Sequence, residues 1–189
     1  MSPKKVYLDA CCFIEVALDA KGQASPHNGK FVWYVKALLR AAKDGEVEVH
    51  TSMISLVECL RINENGPSIP DDVQRLFRGL LSSGNSGVIP HAVDYFIAET
   101  ARNLRWKHQI SLKPADSIHV ATALEAKCDE FLTMDGLDGS PRKLLGKKDD
   151  LKLIGLRVMT PDQTSCIPDK YKQHVIVNVP AKKRARRRK

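Results

Sequence analysis

KPADSIHVATALEAKCDEFLTMDGLD, residues 113–138, decides how this chain is read. Pro114 can open a helix, because the first helical position has no use for the N–H that proline lacks. Asp116 then falls in the first turn, near the positive end of the helix dipole, where an anion is favoured. The helix through ADSIHVATALEAK gives way to Phe131–Thr133, the best candidate for a central buried strand, which discharges into Asp135 and a turn at Gly136. In open parallel sheets, sites form outside the carboxyl ends of strands. Two acids are therefore sent to one edge of a sheet.

Working outward, Val6–Leu8 is another short apolar run, and it ends at Asp9. PHNG at 26–29 signals a turn, and FVWYVKALLRAAKDG reads as an amphipathic helix closing on Gly45. Val47–His50 fits a second strand. Thr51 or Ser52 can cap a helix through MISLVECLR, placing Glu58 about two turns in. GPSIPDD is a loop, Val73, Leu76, Phe77, Leu80 and Leu81 recur at helical spacing, and SSGNSG breaks that pattern. Val93, Ile97, Thr100, Ala101 and Leu104 mark one face of a further helix, and Leu151–Met159 supplies aliphatics for a last strand. Four stretches thus each deliver one carboxylate to a strand end or a helix: Asp9, Glu58, Asp116 and Asp135, with Asp138 beside the last. Apposed carboxylates repel by up to about 4 kcal/mol per close pair at an effective dielectric near 20, so such a cluster needs a cation or shared protons.

Composition narrows the classes. A chain of 189 residues with 43% hydrophobic and 28% charged content fits one ordinary globular domain. No run approaches the roughly 18 apolar residues that a membrane span needs, and MSPKK leads into a strand rather than a signal peptide, so a cytoplasmic protein with no membrane association is expected. Five cysteines without a C-x-x-C pair indicate neither a disulfide framework nor a zinc site. The formal charge of +8 depends on the last eight residues, KKRARRRK, in which seven are basic; without them 23 basic residues face 22 acidic ones. Lys182, Lys183, Arg184, Arg186, Arg187, Arg188 and Lys189 are accordingly the candidate nucleic-acid contacts of a basic tail. Residues 163–189, with a strand-like VIVNV at 175–179, read as a partly disordered extension of a domain spanning 1–162.

Taken together, the strand ending in Asp9, the helix bearing Glu58, the D-x-x-H-x-A-x-A helix from Asp116 and the FLTMD turn resemble a PIN domain, most closely the VapC-like toxin ribonucleases. The resemblance covers roughly residues 4–162. It implies a three-layer α/β/α fold with a central, mainly parallel sheet, and an endoribonuclease using magnesium or manganese. It also implies a toxin role with a small antitoxin as partner, and a homodimer. Asp9, Glu58, Asp116 and Asp135 match the family's four acidic positions, and Thr133 matches the hydroxyl that supports the last of them. Asp138 is a possible helper. The departure comes after Asp9, where Ala10, Cys11 and Cys12 replace the small hydroxylated residue and the Ser or Asn of the family. That departure motivates an alternative, a catalytically weak RNA-binding scaffold.

Magnesium commonly takes one or two protein carboxylates, so Asp9 and Asp116 are the first metal ligands expected, with Asp135 as ligand or bridge and Glu58 orienting or deprotonating water. An isolated Asp at a strand end or helix start is more often a turn or cap residue, and only the combination argues otherwise. His119 reads as a packed core histidine. Cys11 and Cys12 have no paired His for nucleophilic chemistry. Trp33 and Tyr34 fit core or dimer packing, and Trp106 is a minority candidate for a base contact. A phosphatase using paired aspartates ranks low, since Cys11 stands where its second Asp would be.

Overall fold

Val6, Tyr7 and Leu8 are wholly buried, as a strand must be when helices cover both faces of its sheet. The computed structural model describes residues 2–23, 28–59, 69–81 and 86–172. Along the chain run β1 (Lys4–Leu8), α1 (Ala10–Ala20), α2 (Gly29–Lys43), β2 (Val47–Ser52), α3 (Ile54–Glu58), α4 (Asp71–Leu81), β3 (Val88–His91), α5 (Tyr95–Trp106), α6 (Pro114–Glu125), β4 (Glu130–Leu132), α7 (Lys148–Leu153), β5 (Arg157–Met159) and α8 (Asp169–Lys172). The five strands lie in the order β3-β2-β1-β4-β5, and every pairing is parallel. This is the expected three-layer α/β/α fold.

Alternation along β1 sends Val6 and Leu8 to one face and Tyr7 to the other. The first face packs with Val49, Leu132 and the inner residues of α1, α2 and α4, including Phe13, Leu38 and Phe77. Tyr7 joins Phe131 and Val158 against Leu104, Val120 and Leu151 of the helices on the other side. Pro90 sits in β3, the edge strand, where its missing N–H leaves no ladder position empty. The chain moves from β1 outward to β2 and β3, then returns to place β4 on the other side of β1. The β1/β4 boundary is therefore the switch point of the sheet.

Several expectations shift. The last strand is confined to Arg157–Met159, and Lys148–Leu153 is helical. Asp149 and Asp150 in the first turn and Lys152 in the last suit a helix, and Leu153 is 87% exposed where a central strand would bury it. The helix carrying Glu58 is a five-residue turn ending at that residue, and Val93 lies before α5 rather than on it. Ala10–Ala20 forms a helix that the pattern had not announced. The turn at 26–29 and the loops at 66–72 and 82–87 lie partly outside the described residues; the 175–179 stretch and the basic tail lie wholly outside them.

From residue 163 to 172 the chain still packs against the core: Cys166 and Ile167 are buried within it. Glu130, wholly buried at the start of β4, anchors this segment. It accepts hydrogen bonds from Thr164 Oγ1 at 2.5 Å and Ser165 Oγ at 2.7 Å, and Arg157 lies at 3.4 Å. Burial alone would raise its carboxyl, but the hydrogen bonds from Thr164 and Ser165 outweigh burial and hold it below the usual range. A lowered carboxylate stabilises the fold above its unfolded value near 4, and that contribution is lost as pH falls through the folded value. We expect Glu130→Ala to cost about 2–3 kcal/mol by leaving the Thr164 and Ser165 donors unpaired, read as a lower urea midpoint at pH 7. The difference from wild type should shrink as pH falls from 5 to 3.

Candidate active site

β1, β2 and β4 end together, and the residues just past them meet. Asp9 caps α1, its Oδ1 accepting from the Ala10 N–H at 2.8 Å. Its backbone N–H donates to the Leu132 carbonyl at 3.1 Å, extending the β1–β4 ladder by one bond. From β4, Thr133 Oγ1 donates to Asp9 Oδ2 at 2.6 Å. The same hydroxyl accepts from the Asp135 N–H at 2.9 Å, so one buried threonine fixes both acids. The family resemblance had given Thr133 to the last acid alone.

Cys11 supplies a further donor. Its Sγ lies 3.2 Å from Asp9 Oδ2 and 3.5 Å from Thr133 Oγ1, and accepts from the Met134 N–H at 3.2 Å. The adjacent Cys12 thiol, burial and the Asp9 charge push the Cys11 thiol well above its usual range. It stays protonated and donates, which is unsuited to a nucleophile. The departure after Asp9 thus keeps a hydrogen-bond donor in a place where a hydroxyl was expected.

Glu58 reaches the cluster through His119. Its Oε2 lies 2.5 Å from His119 Nε2, and Asp9 Oδ1 lies 3.7 Å from the same nitrogen. On the other side of the ring, Nδ1 lies 2.6 Å from Tyr7 Oη, which accepts from the Ser52 N–H at 2.8 Å. Burial alone would lower His119, but the Glu58 hydrogen bond and the charges of Asp9, Glu58 and Asp116 outweigh it and raise the imidazole. Nε2 faces the Glu58 carboxylate as a donor, and Nδ1 shares a hydrogen bond with the Tyr7 hydroxyl. His119 is packed in the core, as its helix position suggests, yet it also belongs to the acid cluster. Tyr7, whose phenol is pushed well up by burial and the Asp9 charge, is a second residue that the sequence did not single out. A buried tyrosine needs a hydrogen-bond partner, and that requirement is the one signal that pointed to it.

Asp135 is held by Leu144 N–H at 3.3 Å and by Lys143, whose Nζ lies 3.6 Å from Asp135 and 3.1 Å from Asp138. Asp138 is more than half exposed and accepts from the Ser140 N–H. Asp116 is different. Among the described residues no hydrogen bond or salt bridge satisfies its half-buried carboxyl. Burial and the charges of Asp9 and Asp135 push it up to about 6, with Lys113 and His119 pulling only partly the other way.

Among the described residues one group of side chains is close enough to share a cation. The donor atoms of Asp9, Glu58 and His119 all lie within 4.8 Å of one another. His119 Nε2, however, is already committed to Glu58, so it holds that acid instead of offering a lone pair. The oxygens of Asp9, Asp116 and Asp135 are of the hard kind that suits magnesium or manganese, and the charges of Asp9 and Asp135 act on the Asp116 carboxyl. The residues fit the group. Trp106, 70% exposed, stacks under Arg102 on α5, whereas Trp33 and Tyr34 pack edge to face against the core.

The family model described as PIN domain matches residues 6–136. Two solved structures are similar. The structure of FitAB bound to an IR36 DNA fragment is 18% identical with a TM-score of 0.50, covering 84% of this chain and 96% of its own. The crystal structure of FitAcB from Neisseria gonorrhoeae is 18% identical with a TM-score of 0.47, covering 84% and 99%. At this identity the first likeness speaks for the fold. Among curated protein sequences none matches.

A carboxyl raised in the fold holds a proton between about pH 4 and 6 that the unfolded chain releases, so metal-free stability falls as pH rises through that window. A divalent ion competes with that proton. Thermal stabilisation by magnesium or manganese should therefore be small at pH 5 and grow through about pH 6. Asp116→Asn should raise the melting temperature in chelator at pH 7.5 by roughly 2–5 °C while shrinking the shift caused by metal. Calorimetric scans at both pH values check this.

Proposed function

This chain belongs to the PIN domain family, and on that premise we propose that it is a divalent-metal-dependent endoribonuclease, the toxin of a toxin–antitoxin pair. The observation that carries the reading is the gathering of Asp9 and Asp135 near Asp116, whose carboxyl is pushed up to about 6 by burial and those two charges. We assign the activity to residues 1–162 and read 163–189 as an extension whose basic end adds phosphate contacts. A small antitoxin over the acidic end, a second copy of the chain and RNA are the partners that this reading implies. Among the described residues no helix is long and apolar enough to cross a membrane.

Asp9, Asp116 and Asp135 would hold magnesium or manganese, which when bound neutralises phosphoryl oxygens and lowers the cost of deprotonating water. The protein's own contribution is placement. Thr133, Cys11 and the Ala10 N–H fix Asp9, and Lys143 with the Leu144 N–H fixes Asp135. His119 engages Glu58 Oε2, which leaves Oε1 to take a proton from the attacking water. Water oxygen bonds to phosphorus, the bond to the leaving ribose oxygen breaks, and that oxygen takes a proton from solvent water while Glu58 releases the one it accepted. Lys143 lies between Asp135 and Asp138 and offsets part of their charge.

The experiment incubates the folded full chain with structured and single-stranded RNA in magnesium, manganese or chelator and maps the ends. Cleavage should require metal and fall at least 100-fold in Asp116→Asn and in Asp9→Asn, and by about 10²–10⁴ in Glu58→Gln, the range of a general base. Cleavage that persists in chelator or in Asp116→Asn overturns the reading, and RNA binding without cleavage in every condition favours the scaffold. Cys11→Ser should keep activity within about threefold, whereas Cys11→Val, which removes one donor to Asp9, should lose about tenfold.

A further inference from the structure

Beside the acids the surface changes sign. A cleft of about 500 Å³ opens between the segment leading into α6 and the turn that follows the Asp135 loop, lined by Ser111, Leu112, Lys113, Pro141, Arg142 and Lys147. Three of these six carry positive charge and none carries negative. We propose that this cleft binds the sugar–phosphate backbone of a single RNA strand, seating the phosphates that flank the one under attack. The proposal rests on the nuclease reading and adds the place where the strand runs.

The cleft adjoins the site through the chain itself. Lys113 is the residue before α6, three positions from Asp116, and its charge acts on that carboxyl. Arg142 precedes Lys143, whose amine lies between Asp135 and Asp138. A strand leaving the acids on this side meets these cations first.

Two of the three cations are without a salt bridge. Among the described residues neither Lys113 nor Arg142 forms a salt bridge, and both are exposed. Among the described residues Lys147 pairs with Asp150 alone, 3.6 Å away and three residues on along the chain. Lys143 forms the contrast, since it is spent on the two acids it touches. Cations near carboxylates that must collect a divalent ion weaken that ion's binding by like-charge repulsion. The placement is favourable when the arriving ligand is an anion long enough to lie across both the acids and the cations. A phosphodiester chain is such a ligand, whereas a free metal ion or a neutral molecule is not.

The cleft suits a strand in two other respects. No side chain caps α6, so the positive end of its dipole faces out beside Lys113. Leu112 and Pro141 give apolar surface for sugars, and Ser111 gives a hydroxyl. A volume of this order holds one small-ligand-sized group, about the size of a sugar with its phosphate.

The test uses the full chain with its tail, a labelled single-stranded 12-nucleotide RNA, and chelator to keep the RNA intact. Lys113→Gln, Arg142→Gln and Lys147→Gln are combined. A control combines Arg105→Gln, Lys127→Gln and Lys152→Gln, the same charge change at exposed positions elsewhere on the fold. At roughly 0.7 per phosphate contact on single strands, the cleft variant should flatten the log–log salt slope by about 2. Its Kd at 50 mM salt should rise at least tenfold, and the control should match wild type. Arg142→Gln alone, at an exposed residue without a salt bridge, should flatten the slope by about 0.7 and keeps the test sound if the triple variant misfolds. A wild-type slope in the cleft variants, or an equal loss in the control, overturns the proposal. So does an equal weakening toward a poly-glutamate peptide, which would reassign the cleft to acidic protein segments. If metal-dependent cleavage is intact and the cleft variants bind like wild type, only the cleft assignment falls. If the cleft variants lose binding and no metal supports cleavage, the nuclease reading falls and the cleft stands as an RNA-binding site.

Discussion

A hydrogen bond of 2.6 Å from Thr133 to Asp9 joins the two central strands where the sheet reverses its direction of winding, and the acid cluster is arranged about it. Parallel pairing of Leu8 with Leu132 sets the register, so the residues that follow each strand are forced side by side at the switch point. Asp9 is only 6% exposed, and a carboxylate so buried must be hydrogen-bonded. Threonine, cysteine and the first N–H of α1 meet that demand. The same threonine orients the turn to Asp135, so a change in the β1–β4 register would move both acids at once.

Around this fixed pair, the fold distinguishes chemically similar carboxylates by what it places beside each. Glu58 faces a raised histidine, and Asp135 faces Lys143. Asp116 faces two acids and gets only distant help from Lys113 and His119. Glu58 is thus held by its partner, Asp135 is held and partly neutralised, and Asp116 is left with its charge uncompensated. His119 is buried beneath the acids, and although burial opposes its charge, the Glu58 hydrogen bond and the nearby carboxylates favour its protonated form. It limits the repulsion that Asp9 and Glu58 would otherwise exert on each other, and it is itself steadied by Tyr7, whose phenol is clamped by the Ser52 N–H on β2.

Most of this layout was legible because boundaries leave marks in sequence. Asp9, Asp116 and Asp135 stand where an apolar run stops or a proline opens a helix, and those positions fix where a side chain ends up. Glu58 was legible as an acid but not as the last residue of a five-residue turn, since MISLVECLR carries enough apolar residues for a longer helix. Tyr7 and His119 were hidden for a different reason. Each occupies a position that periodicity assigns to the core, and core is where they lie; periodicity reports burial and says nothing of the polar end of a buried ring. Cys11 was hidden because a thiol reads as apolar or reactive, whereas its neighbours make it a weak donor. The segment 148–156 misled because Leu151 and Leu156 are buried while Leu153 is not, a pattern that a short strand and a short helix followed by a turn share.

Charge is where a whole-chain number and the local structure part company. The +8 of the sequence is almost entirely the last eight residues, so the rest of the chain is close to neutral on average, and that average conceals a separation. Carboxylates collect at the strand ends, while Lys113, Arg142 and Lys147 line a cleft next to them. Opposite charges placed side by side but mostly left unpaired create a local field that a neutral surface lacks, and low-dielectric walls sharpen it. If stability were the only demand, Lys113 and Arg142 would gain by pairing with the nearby acids as Lys143 does. Their separation is therefore better explained by a ligand that brings both signs, a cation for the carboxylates and phosphates for the lysines and arginine.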